Sequence, residues 1–210
     1  MKDRCLINNQ DGSAIVIIFI MLFPLLLITN VYFNENKRLL TGSNVILKNT
    51  VAIAAKAGAQ SVDDVSQAHG LPMIDPNMAH ENFRKILIRN LKLDGNMQSI
   101  NGSPTVGSVD YYLLICNGAN SFGLDEGIIY KHTSEGLETT VIDIGELPKT
   151  FGLNYDFNIT PEDKSVTLDR PGVIVIVKAQ IKPVAMTVGA ETIRWASAKI
   201  VMAREGNGGL

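Results

Sequence analysis

The chain has 210 residues, a formal net charge of −2 and a calculated pI of 5.9, which excludes the basic field that nucleic-acid binding requires. Its length leaves room for one ordinary domain beyond an anchor, and excludes a second full domain. The hydrophobic content of 46% includes runs such as VIVIV at 173–177, so the chain has the material for a core and is not disordered.

Residues 1–12, MKDRCLINNQDG, form a short polar leader ending in Gly12. From Ser13 to Asn34 the chain reads SAIVIIFIMLFPLLLITNVYFN, with no charge between Asp11 and Glu35. At about 1.5 Å per residue this stretch makes roughly 33 Å of helix, enough to cross a hydrocarbon core of about 30 Å. The expectation is a single retained membrane span over 13–34. A cleaved signal peptide fits less well, because the run is longer than an ordinary apolar signal core and no small-x-small site occurs in Thr29–Phe33. Lys2 and Arg4 on one side balance Lys37 and Arg38 on the other, but the short leader is the easier part to keep inside. The expected topology has a cytoplasmic N-terminus and an extracytoplasmic C-terminal domain. Cys5 and Cys116 then lie on opposite sides of the membrane and do not pair, and Cys116 reads as a buried core residue. Within the span, Pro24 removes a backbone hydrogen bond, which predicts a kink and favours a helix that packs on others.

Residues 35–62 continue as an amphipathic stalk helix with Leu40, Leu47, Val51, Ala54, Ala55, Gly58 and Val62 on one face. The small residues Ala54, Ala55, Gly58 and Ala59 let another backbone approach closely, either the protein's own sheet or a neighbouring helix. Gly42 and Ser43 interrupt the pattern and predict a bend. After the loop HGLPMIDPN, Asp75 as N-cap and Pro76 at the first helical position open a helix to about Leu93, with Ala79, Phe83, Ile86, Leu87 and Leu91 on one face. Residues 96–108 read as loop. The period then changes to that of strands: 109–117, 127–133 and 137–145, the last two joined by the turn Ser134-Glu135-Gly136. Residues 146–170, with Pro148 and Pro161, read as an irregular segment along an edge, followed by strands over 172–183 and 192–203. The expected class is α+β, with residues 63–204 as the domain, an antiparallel sheet of about five strands and a frayed tail at 205–210. A chain beginning at Ser61 is expected to fold by itself as a soluble monomer.

Catalytic chemistry is not legible. His69, His80 and His132 have no metal-ligand spacing, and neither Asp63-Asp64 nor Asp125-Glu126 sits in an alternating oxygen-ligand loop of the calcium-binding type. These are read as structural or solvated groups, with no metal and no cofactor implied. No nucleophile elbow, P-loop or dinucleotide fingerprint occurs. Asn101 and Asn158 open tripeptides of the N-glycosylation pattern, and Tyr111, Tyr112, Tyr130 and Trp195 fall on strands as packing residues.

The N-terminal half resembles the TadE-like family of pilin-related proteins of the tight-adherence pilus. The residues that carry the likeness are Gly12, Ser13-Ala14, the run to Pro24 with Leu25 to Leu27 behind it, and the helix AIAAKAGAQ. The segment IDPNMAHENFRKILIRNLKLD and the strands GVIVIVKAQIKP and IRWASAKIVMA are similar to later elements of such proteins. The resemblance implies a bacterial minor pilin or pseudopilin, not an enzyme, held in the cell membrane. Its expected partners are membrane lipid, other pilin-like subunits, inner-membrane platform proteins or further copies of itself. It also implies peptidase cleavage between Gly12 and Ser13. The family carries a glutamate at the fifth position after the glycine, where this chain has Ile17, so an uncleaved membrane component is the alternative. On this reading Pro24, Ala54, Ala55 and Gly58 serve helix packing and assembly. The rival from another class is an anchored extracytoplasmic module that binds a small ligand or a wall component.

Overall fold

In the computed structural model, residues 10–181 and 190–201 are described, with side chains from Ile18 onward. Helix α1 spans Gln10–Ala59, α2 Asp64–Ala68 and α3 Pro76–Leu91. The strands are β1 Thr105–Cys116, β2 Gly127–Thr133, β3 Gly136–Ile142, β4 Lys149–Gly152, β5 Ser165–Leu168, β6 Gly172–Ile181 and β7 Ala190–Lys199. Five of them form one sheet in the order β3-β2-β1-β6-β7 with every pairing antiparallel. The protein is therefore α+β, with a long apolar N-terminal helix, a further helix and a five-stranded antiparallel sheet. Cys5 and the tail at 205–210 lie outside the described residues.

The central strands β1 and β6 are buried on both faces, which is why YYLLIC and VIVIV are continuous apolar runs and do not alternate. Tyr111, Leu113, Ile115, Val173, Val175 and Val177 point to the helix layer, where they meet Leu47, Val51, Ala54, Ala55, Phe83 and Leu87. Tyr112, Leu114, Cys116, Ile174 and Ile176 point the other way, onto Phe151, Phe157 and Leu168. The second cover is supplied by the segment read as an edge. Residues 149–152 and 165–168 pair as a small antiparallel sheet that closes the face of the main sheet instead of following its rim.

Local signals account for the helix starts. Asp75 is the N-cap of α3, accepting from the Met78 N–H at 3.0 Å, with Pro76 in the first turn where its missing N–H costs nothing. The short helix α2, in a stretch for which the sequence pattern predicts no element, is capped in the same way by Asp63, which accepts from Ser66 N–H at 2.8 Å. Between α2 and α3, buried Asn117 at the end of β1 holds the chain: its Oδ1 accepts from Ile74 N–H at 2.8 Å and its Nδ2 donates to Ile74 O at 2.9 Å.

Helix α1 departs from expectation in two respects. It runs unbroken through Gly42 and Ser43, and its upper half belongs to the domain. Leu47, Val51, Ala54 and Ala55 are fully buried, packed on α3, β6 and β7, and Arg194 Nη2 donates to Asn44 Oδ1 at 2.7 Å to tie β7 to the helix. A domain border after residue 62 therefore cuts through the core. A chain starting at Ser61 would lack one wall of that core, and the expectation that it folds alone does not fit this packing.

Candidate functional site

Two features outside the core stand out: a bare apolar helix and a polar cleft. Among the described residues, the lower half of α1 gathers the longest run of exposed large apolar side chains. From Ile18 to Phe33 the large apolar side chains of α1 are 49–75% exposed, and none of the described residues of the domain covers this stretch. An exposed apolar surface of this extent is the mark of a contact with lipid or protein, and by length and composition the helix is a candidate membrane span of the kind that a signal sequence near an N-terminus also presents. Pro24 lies inside this exposed part, and the backbone of Gly12 and Ser13 lies in the first turn of α1.

Higher on the same helix, the residues expected to meet a neighbour are already occupied. Ala54 and Ala55 have no exposed surface. A Cβ placed on Gly58 would lie 3.6 Å from the Ala79 carbonyl oxygen and 3.6 Å from Val173 Cγ2. The close approach that these small residues permit is made by α3 and β6 of the same chain, so of the two neighbours left open by the sequence, the structure places the chain's own domain on this face. Above Phe33, α1 leaves Leu39, Val45, Ile46 and Ile53 45–51% exposed, and three of them, Leu39, Ile46 and Ile53, follow one another at intervals of seven. Residues seven apart on a helix lie within about 20° of one another, so the three form one line along the flank of α1. The same spacing runs down through Tyr32, Leu25 and Ile18. The stripe was legible as a heptad, but the stronger pattern of the core face hid it.

The cleft lies between α3, the 95–98 turn and the β2–β3 hairpin. It encloses about 400 Å³ and is lined by Arg84, Gln98, Ser108, His132 and residues 133–137. Behind it the rings stack in order: His80 lies flat on Tyr130 at 4.0 Å between centroids, His80 Nε2 is 2.7 Å from Tyr111 Oη, and Tyr111 stacks on His132 at 5.1 Å. Burial, then the Arg84 charge and then His132, bring the His80 pKa down to about 4. Burial followed by Arg84 lowers His132 too, opposed by Asp110 and weakly by the Val109 carbonyl, which closes no hydrogen bond of ordinary geometry to Nδ1. Both imidazoles are thus neutral near pH 7. Burial raises the Tyr111 phenol to about 12, so the stack carries no charge of its own.

The remaining sequence candidates have structural roles. Glu126 accepts from Ile144 N–H at 3.1 Å and Gly145 N–H at 2.8 Å, which engages its Oε2 in fixing the turn after β3. Asp63 is a cap, Asp64 stands in the first turn of α2, and His69 lies 5.9 Å from the Phe122 ring. Among the described residues no group of His, Cys, Asp or Glu could hold a metal ion. Cys116 is free and buried, and burial raises its thiol to about 12, which makes it inert. Asn101 and Asn158 are both exposed. Trp195 projects 45% exposed from β7, on the sheet face that β4 and β5 leave open at that edge. Compared with family models, with characterised proteins and with solved structures, the chain gives no match in any of the three.

Proposed function

We propose that the protein is a single-pass, membrane-anchored structural component of a pilus or pilus-like secretion apparatus. Its domain stands outside the cytoplasm and its lateral contacts run along α1. The observation that carries this reading is the division of one helix into a bare apolar half and a half built into a domain, joined by the exposed line of Leu39, Ile46 and Ile53. A helix serving only as a lipid anchor has no need of large apolar side chains on the flank beside its own domain. In a membrane the association of helices depends on packing, since lipid competes equally for apolar surface, and an aligned stripe supplies that packing. The TadE-like resemblance supports the same reading and assigns the partner class as other pilin-like subunits, inner-membrane platform proteins or further copies of this chain.

The test uses single cysteines in the native membrane. Oxidation of Ile46→Cys or Ile53→Cys is expected to give a crosslinked species, whereas Lys48→Cys is not, because two residues along a helix turn the side chain by about 200°. Equal crosslinking at Ile46 and Lys48, or none at either stripe position, removes the lateral-contact reading. Mass spectrometry of the mature N-terminus separates a cleaved subunit that begins at Ser13 from an uncleaved component that keeps its leader. The second reading, an anchored module that binds a small ligand, rests on the polar cleft beside His132.

A further inference from the structure

The cleft carries an inference that is independent of assembly. Among the described residues, four buried side-chain polar atoms have no hydrogen-bond partner, and three of them, Arg84 Nε, Ser108 Oγ and His132 Nδ1, belong to residues that line this one cleft. Their gathering in one place is what distinguishes a binding site from scattered packing faults. Arg84 is also a cation without a counter-charge. Its Nη2 is fixed on the Gly95 carbonyl at 2.7 Å, and no carboxylate among the described residues pairs with it. Glu81, one turn earlier on α3, is engaged by Lys85 at 2.7 Å. The guanidinium is thus held in place by a neutral acceptor, with its Nε–H turned to no partner. Ser108 can donate or accept, and neutral His132 presents Nδ1 in either role according to its tautomer.

We propose that this cleft binds a small oxyanion, a carboxylate or a phosphate, through Arg84, Ser108 and His132. An oxyanion is the one ligand class that answers both a donor without an acceptor and a cation without an anion. The three atoms are recessed below the cleft surface, so binding proceeds with a side-chain rotation at Arg84 or Ser108. Among the described residues lining the cleft, Glu135 in the hairpin turn is the only acidic one, and it favours ligands whose remaining surface is neutral or cationic. The volume suits a molecule of a few to a dozen heavy atoms and excludes a folded partner.

The experiment follows the imidazole resonances of His132 in the full-length protein in detergent micelles while succinate or, separately, inorganic phosphate is added. A saturable shift is expected, with affinity falling by at least about tenfold in Arg84→Gln, the loss of one charge-assisted contact. Saturation by succinate alone assigns the site to carboxylates, and saturation by phosphate alone assigns it to phosphates. Should Arg84→Gln fail to fold, Ser108→Ala decides, with weakened binding expected. Absence of a saturable response to either anion in the wild-type protein overturns the proposal. Unchanged affinity in a folded Arg84→Gln, or in Ser108→Ala, overturns it equally.

Discussion

The two halves of α1 are made of similar apolar material and meet opposite fates. Between Ile18 and Phe33 the side chains are large and stand bare around the whole circumference, whereas from Leu47 to Ala59 the inward ones are buried in the core and diminish from Leu47 and Val51 to alanine and glycine. The size difference has a mechanical cause. Towards its end the helix lies against both α3 and the sheet, and around Gly58, where the α3 backbone and β6 are both in contact range, small side chains let the backbones come together. Leu40 is the last side chain down the helix that packs on the core, and between Ile18 and Phe33 no described element of the domain covers the side chains, so bulk is unconstrained. Small residues on a helix emerging from an apolar segment therefore point first to the chain's own domain, and the search for a partner belongs on the flank that the domain leaves open.

The largest expected effect breaks the helix between its halves. A chain beginning at Asn36 keeps every buried residue of the upper half and is expected to unfold cooperatively on heating. One beginning at Ser61 loses Leu47, Val51, Ala54, Ala55 and Ala59 from the core and is expected to show no cooperative transition by near-ultraviolet circular dichroism. A sharp transition in the shorter chain would show that the upper half adds little to the domain. Labelling tests the lower half by an all-or-none readout. In intact cells an impermeant thiol reagent is expected to modify Gly208→Cys and to spare Cys5, while Cys116 stays silent because it is buried. Labelling of Cys5 with protection at 208 reverses the topology and removes the proposed function.

A substitution inside the upper half has an intermediate effect. Gly58→Leu drives its outer atoms into Val173 and the α3 backbone, an overpacking expected to destabilise by about 1–3 kcal/mol. Gly58→Ala places a Cβ at ordinary contact distance and relieves the helix of a glycine, so it is expected to stabilise by up to about 1 kcal/mol. Chemical denaturation of both variants reads the pair, and a neutral leucine would mean that the face is open after all.

The smallest expected effect is on pH dependence. His80 has a folded pKa of about 4, below its ordinary value of 6.5, and His132 is also lowered. The unfolded chain then binds more protons than the folded one between those values, so this stability is complete above pH 6.5 and is lost as pH falls toward 4. Asp110, raised by burial, contributes a slope of opposite sign. Replacing His80 by Gln is expected to flatten the midpoint temperature between pH 6.5 and 4.5, and an unaltered slope would refute a buried neutral imidazole. Partial exposure of the site to solvent keeps the whole effect modest.

Much of this architecture could be read directly from the chain. Asp75-Pro76 marked the start of α3 because capping is local chemistry, and GIIYKHT coincides with β2 because the following turn is short and fixes the register. Residues 146–170 were misplaced because two prolines and little alternation describe a local conformation, whereas their cover of Ile174 and Ile176 is a long-range contact. The cleft was not legible at all. Arg84, Ser108 and His132 lie on α3, β1 and β2, and only the folding of helix onto sheet brings them together. Each is unremarkable in its own neighbourhood. What singles them out is a lack of partners, which is a property of the assembled surroundings.

The unbroken course of α1 past Gly42 and Ser43 has a consequence for how force and orientation pass through the molecule. Fifty residues of continuous helix rise about 75 Å, and from beyond Pro24, which lacks an N–H to donate, up to the domain the backbone hydrogen bonds resist twist. With no hinge at the junction, the azimuth at which the lower half seats against its surroundings fixes which side of the sheet the domain turns to a neighbour. Rotating the lower half by one residue's angle, about 100°, would swing the edge strands β3 and β7 through the same arc. Insertion of a single alanine between Gly42 and Ser43 is accordingly a torsional change applied at one end and delivered at the other.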